Sequence, residues 1–369
     1  MRVLLLGATG TIGRRVAGEL LRHPKVDGVV LAGRNQDALD RLSSVLGGEK
    51  TRTALADATA PDEVADVAEG CDVIASAAGP GYDLEAPSME GALRAGVHYV
   101  SLNDDEVAAR AALERHERAV ACGVTIVAGC GASPGLTNLL ISLARQRIGI
   151  VDEIGVAFAA SAAEATGPAS ALHLAHSLGT DAGLIESGQE VVCRPGTQPR
   201  PVFFPDPVGW VETFRTGHPE VPFLRRRHPE ASTIGFRIGL TEKPAMDVMR
   251  ASAAAKLFQT EKGRRSWLRL AEPLRPLLVA LPPRGSRWAA LRVNVWGHDG
   301  TMKEVSFGAA DHIANLAAVP LALAAVELAS GEARMPGVLA PDEAFDARDF
   351  LRDVTKRGIR VAVLEPETL

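Results

Sequence analysis

Met1-Arg-Val-Leu-Leu-Leu-Gly7-Ala-Thr9-Gly10-Thr11-Ile12-Gly13 opens the chain, and the order of its parts is specific. The apolar run Val3 to Leu6 reads as a buried strand. Three glycines follow at GxxGxxG spacing, and Arg14 to Arg22 then reads as a helix. Strand, glycine turn and helix in this order form a dinucleotide-binding fingerprint. Gly7 permits the tight turn, Gly10 lets the backbone approach a pyrophosphate, and Gly13 lets the helix pack close to the strand. The helix N-terminus presents free N–H groups and the positive end of its dipole to phosphate. The contacts expected from this loop are Gly7, Thr9, Gly10, Thr11, Ile12 and Gly13. An ordinary strand–helix turn is the alternative, and further strand–helix units downstream weigh against it.

The second strand, Gly28 to Ala32, ends in Gly33-Arg34-Asn35. Sites for NAD place an Asp or Glu at this strand end, where it accepts from the ribose 2′-hydroxyl. No acid stands there. Arg34 does, and a guanidinium can fork onto a 2′-phosphate, with Asn35 adding a hydrogen bond. NADP is therefore the expected cofactor. Ala54 to Ala56 ends in Asp57, expected near the adenine. A fourth strand over 72–76 runs into Ser76-Ala77-Ala78-Gly79-Pro80. Ligands collect outside the carboxyl ends of the strands of such a sheet, so these five residues are expected beside the nicotinamide and its ribose. Glu85 to Ala95 reads as a helix, and Val97 to Ser101 and Val124 to Val127 as strands five and six.

With 369 residues there is room for two domains. A net charge of −5 with 23% charged residues carries no basic excess that would suggest nucleic acid. Arg225-Arg226-Arg227 is short and reads as a solvated loop or local anion contact. Cys71, Cys122, Cys130 and Cys193 have neither CxxC nor metal-ligand spacing, and free thiols suit a cytoplasmic, reducing compartment. The first apolar run is too short for a signal peptide, and Ala317 to Ala329 too short to span a bilayer.

Several segments together carry a resemblance: Gly7-Ala8-Thr9-Gly10-x-x-Gly13, Ala32-Gly33-Arg34, Ser76-Ala77-Ala78-Gly79-Pro80, Ala95-Gly96-Val97-His98-Tyr99-Val100, and Gly131-Ala132-Ser133-Pro134-Gly135-Leu136-Thr137-Asn138. Near the end stand Gly337-Val338-Leu339-Ala340-Pro341-x-Glu343 and Lys356-Arg357-Gly358-Ile359. In this order they resemble the saccharopine dehydrogenase-like family of NAD(P)-dependent oxidoreductases. The resemblance implies an α/β fold: an N-terminal Rossmann doubly wound parallel sheet over 1–132, an inserted α+β substrate domain over 133–310, and a C-terminal segment, 311–369, returning to the first domain. It also implies a homodimer. In the inserted domain Val151 to Ala159, Thr233 to Leu240, Ala290 to Trp296 and Val305 to Phe307 read as strands, and Ser170 to Gly188 as helical. Pro195 to Pro207 and Pro282 to Gly285 read as loops, and Asp311 to Ala329 as a long helix.

The family implies hydride transfer at a carbon bearing nitrogen, by way of an imine. The cofactor carries the chemistry, while the protein positions and polarises. An acid near the imine nitrogen favours iminium, and a proton donor completes the reduction. Ser101-Leu102-Asn103-Asp104-Asp105-Glu106 stands where the family has Asp-Leu-x-Gly-Glu. Asp104 is the candidate for holding a cationic amine, whereas Asp105 and Glu106 read as first-turn acids of a helix capped by Asn103. His173 and His176 share a helix face and are candidate proton donors, with an interface role as the alternative. Ser133 stands where saccharopine-forming members carry Asp, which argues against saccharopine itself. Cys130 reads as a core residue. Two other functions remain open: reduction of a carbon–carbon double bond in a lipid-like substrate, and non-catalytic dinucleotide binding.

Overall fold

The computed structural model describes residues 1–164, 167–271, 273, 287–299, 303–331 and 335–365. The chain divides into two compact units, Met1–Leu136 with Ala314–Arg357, and Thr137–Ile313 with Gly358–Leu369.

The first unit alternates strand and helix. Strand β1 (Arg2–Leu6) leads into α1 (Thr11–Arg22), β2 (Gly28–Gly33), α2 (Gln36–Val45) and β3 (Thr51–Leu55). Then come α3 (Pro61–Ala68), β4 (Val73–Ser76), α4 (Gly81–Ala95), β5 (His98–Ser101), α5 (Glu106–Leu113), α6 (His116–Ala121) and β6 (Thr125–Val127). Val3 to Leu6 are each at most 1% exposed, as expected of a strand covered on both faces. Helix α1 starts three residues earlier than its apolar pattern implied, because the backbone of Thr11 to Gly13 already closes the first turn. Ladders β2–β3, β1–β2, β1–β4, β4–β5 and β5–β6 are all parallel. The strand order β6-β5-β4-β1-β2-β3 is that of a doubly wound nucleotide-binding sheet.

The second unit is built on a mixed sheet. After α7 (Leu136–Ile148), β7 (Gly149–Ala160) forms its centre. Helix α8 (Pro168–Gly179) is followed by β8 (Ala182–Glu186) and β9 (Gln189–Cys193). The expected helix over Ser170 to Gly188 therefore ends at Gly179. Ser187 and Gly188 both adopt positive φ, the geometry of a two-residue hairpin turn, and β8 pairs with β9 antiparallel. Pro195 to Pro207, expected as a loop, contains β10 (Thr197–Phe204). Pro199 and Pro201 are tolerated there because β10 is an edge strand, pairing among the described residues only with β11 (Gly209–Thr216). Then follow β12 (Thr233–Leu240), β13 (Ala289–Asp299) and β14 (Glu304–Asp311). Strands β7 and β12 are parallel, and β13 lies antiparallel between β7 and β14. Helix α8 and the helix Lys243–Ala254 contribute Ala175, Leu178, Met246 and Met249 to a core with Phe214 and Phe258. The expected loop over Pro282 to Gly285 lies outside the described residues.

The helix Ile313–Ser330 belongs to the first unit from Ala314 onward. By length and apolarity it could cross a membrane, yet 61% of it is buried inside the protein, as in a core helix. Strand β15 (Gly337–Leu339) then extends the first sheet beside β6, making seven strands among the described residues. The expectation that all of 311–369 returns to the first unit fails at the last strand. Gly358 turns the chain at φ +96°, and β16 (Arg360–Leu364) pairs with β14, covering an edge of the second sheet.

Candidate functional site

The glycine turn is shaped by contacts that leave no room for side chains. Gly7 has φ +72°, and a Cβ there would lie 2.7 Å from Ala77 O and from Ala78 N. The segment after β4 thus lies directly against the turn after β1. A Cβ on Gly13 would run into the carbonyl of Gly7 and lie 3.0 Å from Ala8 Cα, so only glycine lets α1 approach β1 this closely. Gly10 forms the N-cap of α1 and makes no side-chain cap bond, whereas α2 is capped by Asn35 and α5 by Asp105. The free N–H groups of α1 point out of the carboxyl end of the sheet, as a pyrophosphate needs.

Arg34 is exposed and, among the described residues, has no hydrogen bond or ion-pair partner. Its charge acts on Asp57, whose carboxyl is held below its ordinary range mainly by hydrogen bonds from Thr59 N and Oγ1, and less by Arg34. The Asn35 side-chain oxygen accepts from Ala38 N at 2.9 Å, so it is engaged as a helix cap. Thr9 Oγ1 lies against Gly33, joining the glycine loop to the end of β2. The loop, Arg34, Asp57 and Ser76 to Pro80 thus all stand at the carboxyl end of one sheet. These residues fit NADP, which when bound supplies hydride chemistry at its nicotinamide.

Beside β5, in the turn of helix that follows β4, stands a group without a counterpart in the residues expected from sequence. Glu85, in the second turn of α4, is 2% exposed. Tyr99 Oη donates to its Oε2 at 3.0 Å, and Ser101 Oγ to its Oε1 at 2.6 Å. Ser101 Oγ in turn accepts from Asn103 N and Gly129 N, each at 3.2 Å. The Ser that replaces the family's Asp at 101 therefore hands its hydrogen bond to a carboxyl on the neighbouring helix. Burial pushes Glu85 up to about 7; the two hydroxyls oppose that shift, and Asp104 and Asp105 add to it. Tyr99 is raised well above its ordinary range, first by burial and then by Glu85, so it remains a donor. A signal existed: Glu85, Ser88, Met89 and Ala92 form one buried helical stripe, and an acid in such a stripe is out of place unless hydrogen-bonded.

The other acids divide. Asp105 Oδ1, rather than Asn103, caps α5 by accepting from Ala108 N, and Glu106 pairs with Arg110. Asp104 stands in the loop between β5 and α5, close enough to Glu85 to raise it. His173 and His176 are on α8, in the second unit, with Nε2 of His173 3.1 Å from Ser177 Oγ and Nδ1 of His176 3.4 Å from Thr180 Oγ1. Cys130 is fully buried with its thiol pushed far up, as suits a core residue. Among the described residues no group of His, Cys, Asp and Glu is placed to hold a metal.

Residues 3–127 match the family of the saccharopine dehydrogenase NADP-binding domain. That match lies wholly within the first unit. The fold of the whole chain is that of saccharopine dehydrogenase: it is similar to the L-Glu-forming enzyme from Saccharomyces cerevisiae, with TM-score 0.64 and 15% identity over 99% of this chain and 100% of that one. Homospermidine synthase from Legionella pneumophila, solved in complex with NAD, matches with TM-score 0.59 and 12% identity over 100% of this chain and 94% of that one. A trans-acting enoyl reductase of Mycobacterium leprae is 27% identical over 156 residues, which is 42% of this chain and 37% of that relative's length. The chain thus has the saccharopine dehydrogenase fold, and its first unit carries the match to an NADP-binding domain.

Proposed function

We propose that this protein is an NADPH-dependent oxidoreductase that transfers hydride between the nicotinamide and an imine or amine carbon of a small, amino-acid-like substrate. The observation that carries this reading is the carboxyl cluster Glu85, Asp104 and Asp105 about the end of β5, within electrostatic reach of one another. Among the described residues no Lys, Arg or His bonds to Glu85. Negative charge on the aspartates, joined by Glu85 only above about pH 7, favours a cationic iminium over a neutral alkene. Asp104 holds the cation in this reading. The names of the two solved structures that share the whole-chain fold, for saccharopine and for homospermidine, agree with it. The test is NADPH oxidation with amine-plus-carbonyl pairs beside enoyl thioesters of short and long chain. Turnover with the former is expected, with kcat/KM lowered at least about tenfold in Asp104→Asn. Turnover with the enoyl compounds alone would overturn it.

The likeness to trans-acting enoyl reductases favours a second reading, reduction of a carbon–carbon double bond. It spans only 37% of that relative, so it bears on part of the machinery, and the same assay separates the two.

Arg34 selects NADP in both readings. Arg34→Ala is expected to weaken NADPH binding at least tenfold, roughly 1.4 kcal/mol, and to leave NADH binding unchanged. A titration monitored by nicotinamide fluorescence checks this; equal losses for both nucleotides would remove Arg34 from the 2′-phosphate site.

A further inference from the structure

We infer that the proton on Glu85 sets the preference of this site between the reduced and oxidised forms of its cofactor. The inference rests on the NADP-binding domain and not on the identity of the substrate.

NADPH and NADP+ share the adenine, the 2′-phosphate and the pyrophosphate. They differ at the nicotinamide ring, which carries a positive charge only when oxidised. A fixed negative charge beneath that ring therefore favours NADP+, and a neutral group does not. Glu85 is the buried group suited to provide or withhold it. Its carboxyl is held from two sides, by Tyr99 at 3.0 Å and Ser101 at 2.6 Å. Through Ser101 it is tied to the backbone N–H groups of Asn103 and Gly129, beyond the ends of β5 and β6. Tyr99 also interacts with Ser76, the last residue of β4. The carboxyl thus sits under the strand ends where a doubly wound sheet receives its ligand.

The charged groups facing Glu85 are Tyr99 on β5 and Asp104 and Asp105 in the loop after it. On the helices packed against α4, Glu106 is paired with Arg110 and Asp62 with Arg94. No cation compensates Glu85 among the described residues, so its charge is governed by pH, with a midpoint of about 7. Below that midpoint Glu85 is neutral and the site accepts NADPH without penalty. Above it, the buried carboxylate draws the cationic ring of NADP+, and NADPH loses ground.

The test is the ratio of Kd for NADPH to Kd for NADP+ in the full chain, measured by calorimetry or fluorescence at about pH 5.5 and about pH 8.5. The 2′-phosphate titrates near pH 6 in both forms, so its contribution cancels in the ratio. The wild-type ratio is expected to rise by about tenfold between the two pH values, the scale of one unit charge acting through a protein interior. In Glu85→Gln, a neutral isostere whose amide oxygen accepts from one hydroxyl while its NH2 donates to the other, the ratio is expected to stay flat at its low-pH value. In Asp104→Asn, which removes a neighbouring charge and leaves Glu85 in place, the midpoint is expected to move to lower pH. A flat wild-type ratio, a wild-type profile in Glu85→Gln, or an unmoved midpoint in Asp104→Asn would overturn the inference. Failure of either nucleotide to bind the wild-type chain would overturn it together with the cofactor assignment, whereas failure of the substrate assay alone leaves it standing.

Discussion

Gly13→Val is expected to destroy nucleotide binding and to destabilise the first unit by about 3 kcal/mol. A Cβ at this position meets the backbone of Gly7 and Ala8, not the end of a flexible side chain, so no rotamer change relieves it. Either α1 moves away from β1 or the turn after β1 opens, and both displace the N–H groups that receive the pyrophosphate. Gly10→Ala separates binding from folding. Its Cβ would lie 3.2 Å from Gly7 O, at an exposed helix cap, so stability is expected to change by less than about 1 kcal/mol. The methyl group nevertheless stands between backbone and phosphate, and NADPH is expected to bind at least about tenfold more weakly. Urea unfolding and NADPH titration of both variants check the pair. Wild-type affinity in Gly13→Val would place the nucleotide elsewhere.

Stability is expected to fall by about 3 kcal/mol through Glu85 alone as pH rises from about 4.5 to about 7. The sign follows from the direction of the shift. The folded carboxyl titrates at about 7 and the unfolded one near 4.5, so between them the native state binds more proton than the unfolded state. The stabilisation is fully present below the unfolded value and is lost as pH passes through the folded one. His228 acts in the opposite sense. Burial first, and then Arg145, lower it to about 4, so its contribution is present above its ordinary value and is lost in acid. The total pH profile mixes the two, and the informative quantity is the difference between wild type and Glu85→Gln. That difference is expected to favour the variant increasingly from pH about 4.5 upward and to level off above about 7. Parallel profiles in urea unfolding would mean that Glu85 titrates in the folded protein where it does in the unfolded one.

The first unit was largely legible from pattern. Val3 to Leu6 carry enough apolar surface to be a strand covered on both faces, and Gly7, Gly10 and Gly13 recur at a spacing with one steric meaning. Arg34 is legible for the same reason: its place after β2 follows from counting along one strand–helix–strand unit. The second unit was less so. Ala182 to Glu186 reads as helix by composition, and only its pairing with Gln189 to Cys193 makes it a strand. Thr197 to Phe204 is masked by its prolines, which an edge strand accepts and a central one does not. Arg360 to Leu364 lies next to a helix of the first unit in sequence, yet it is claimed by the open edge of β14. Strand identity in these segments is a property of the partner, and the partner is distant in sequence.

Residues 3–34 by themselves determined the nucleotide-binding sheet and the expectation of NADP, because turn sterics, apolar burial and a single guanidinium are local properties. Tertiary structure decided the state of the buried acid beside β5. Glu85 holds its proton because packing buries it away from water, against the pull of the hydroxyls of Tyr99 and Ser101, fourteen and sixteen residues away. Desolvation belongs to the packed state, and no stretch of sequence carries it alone.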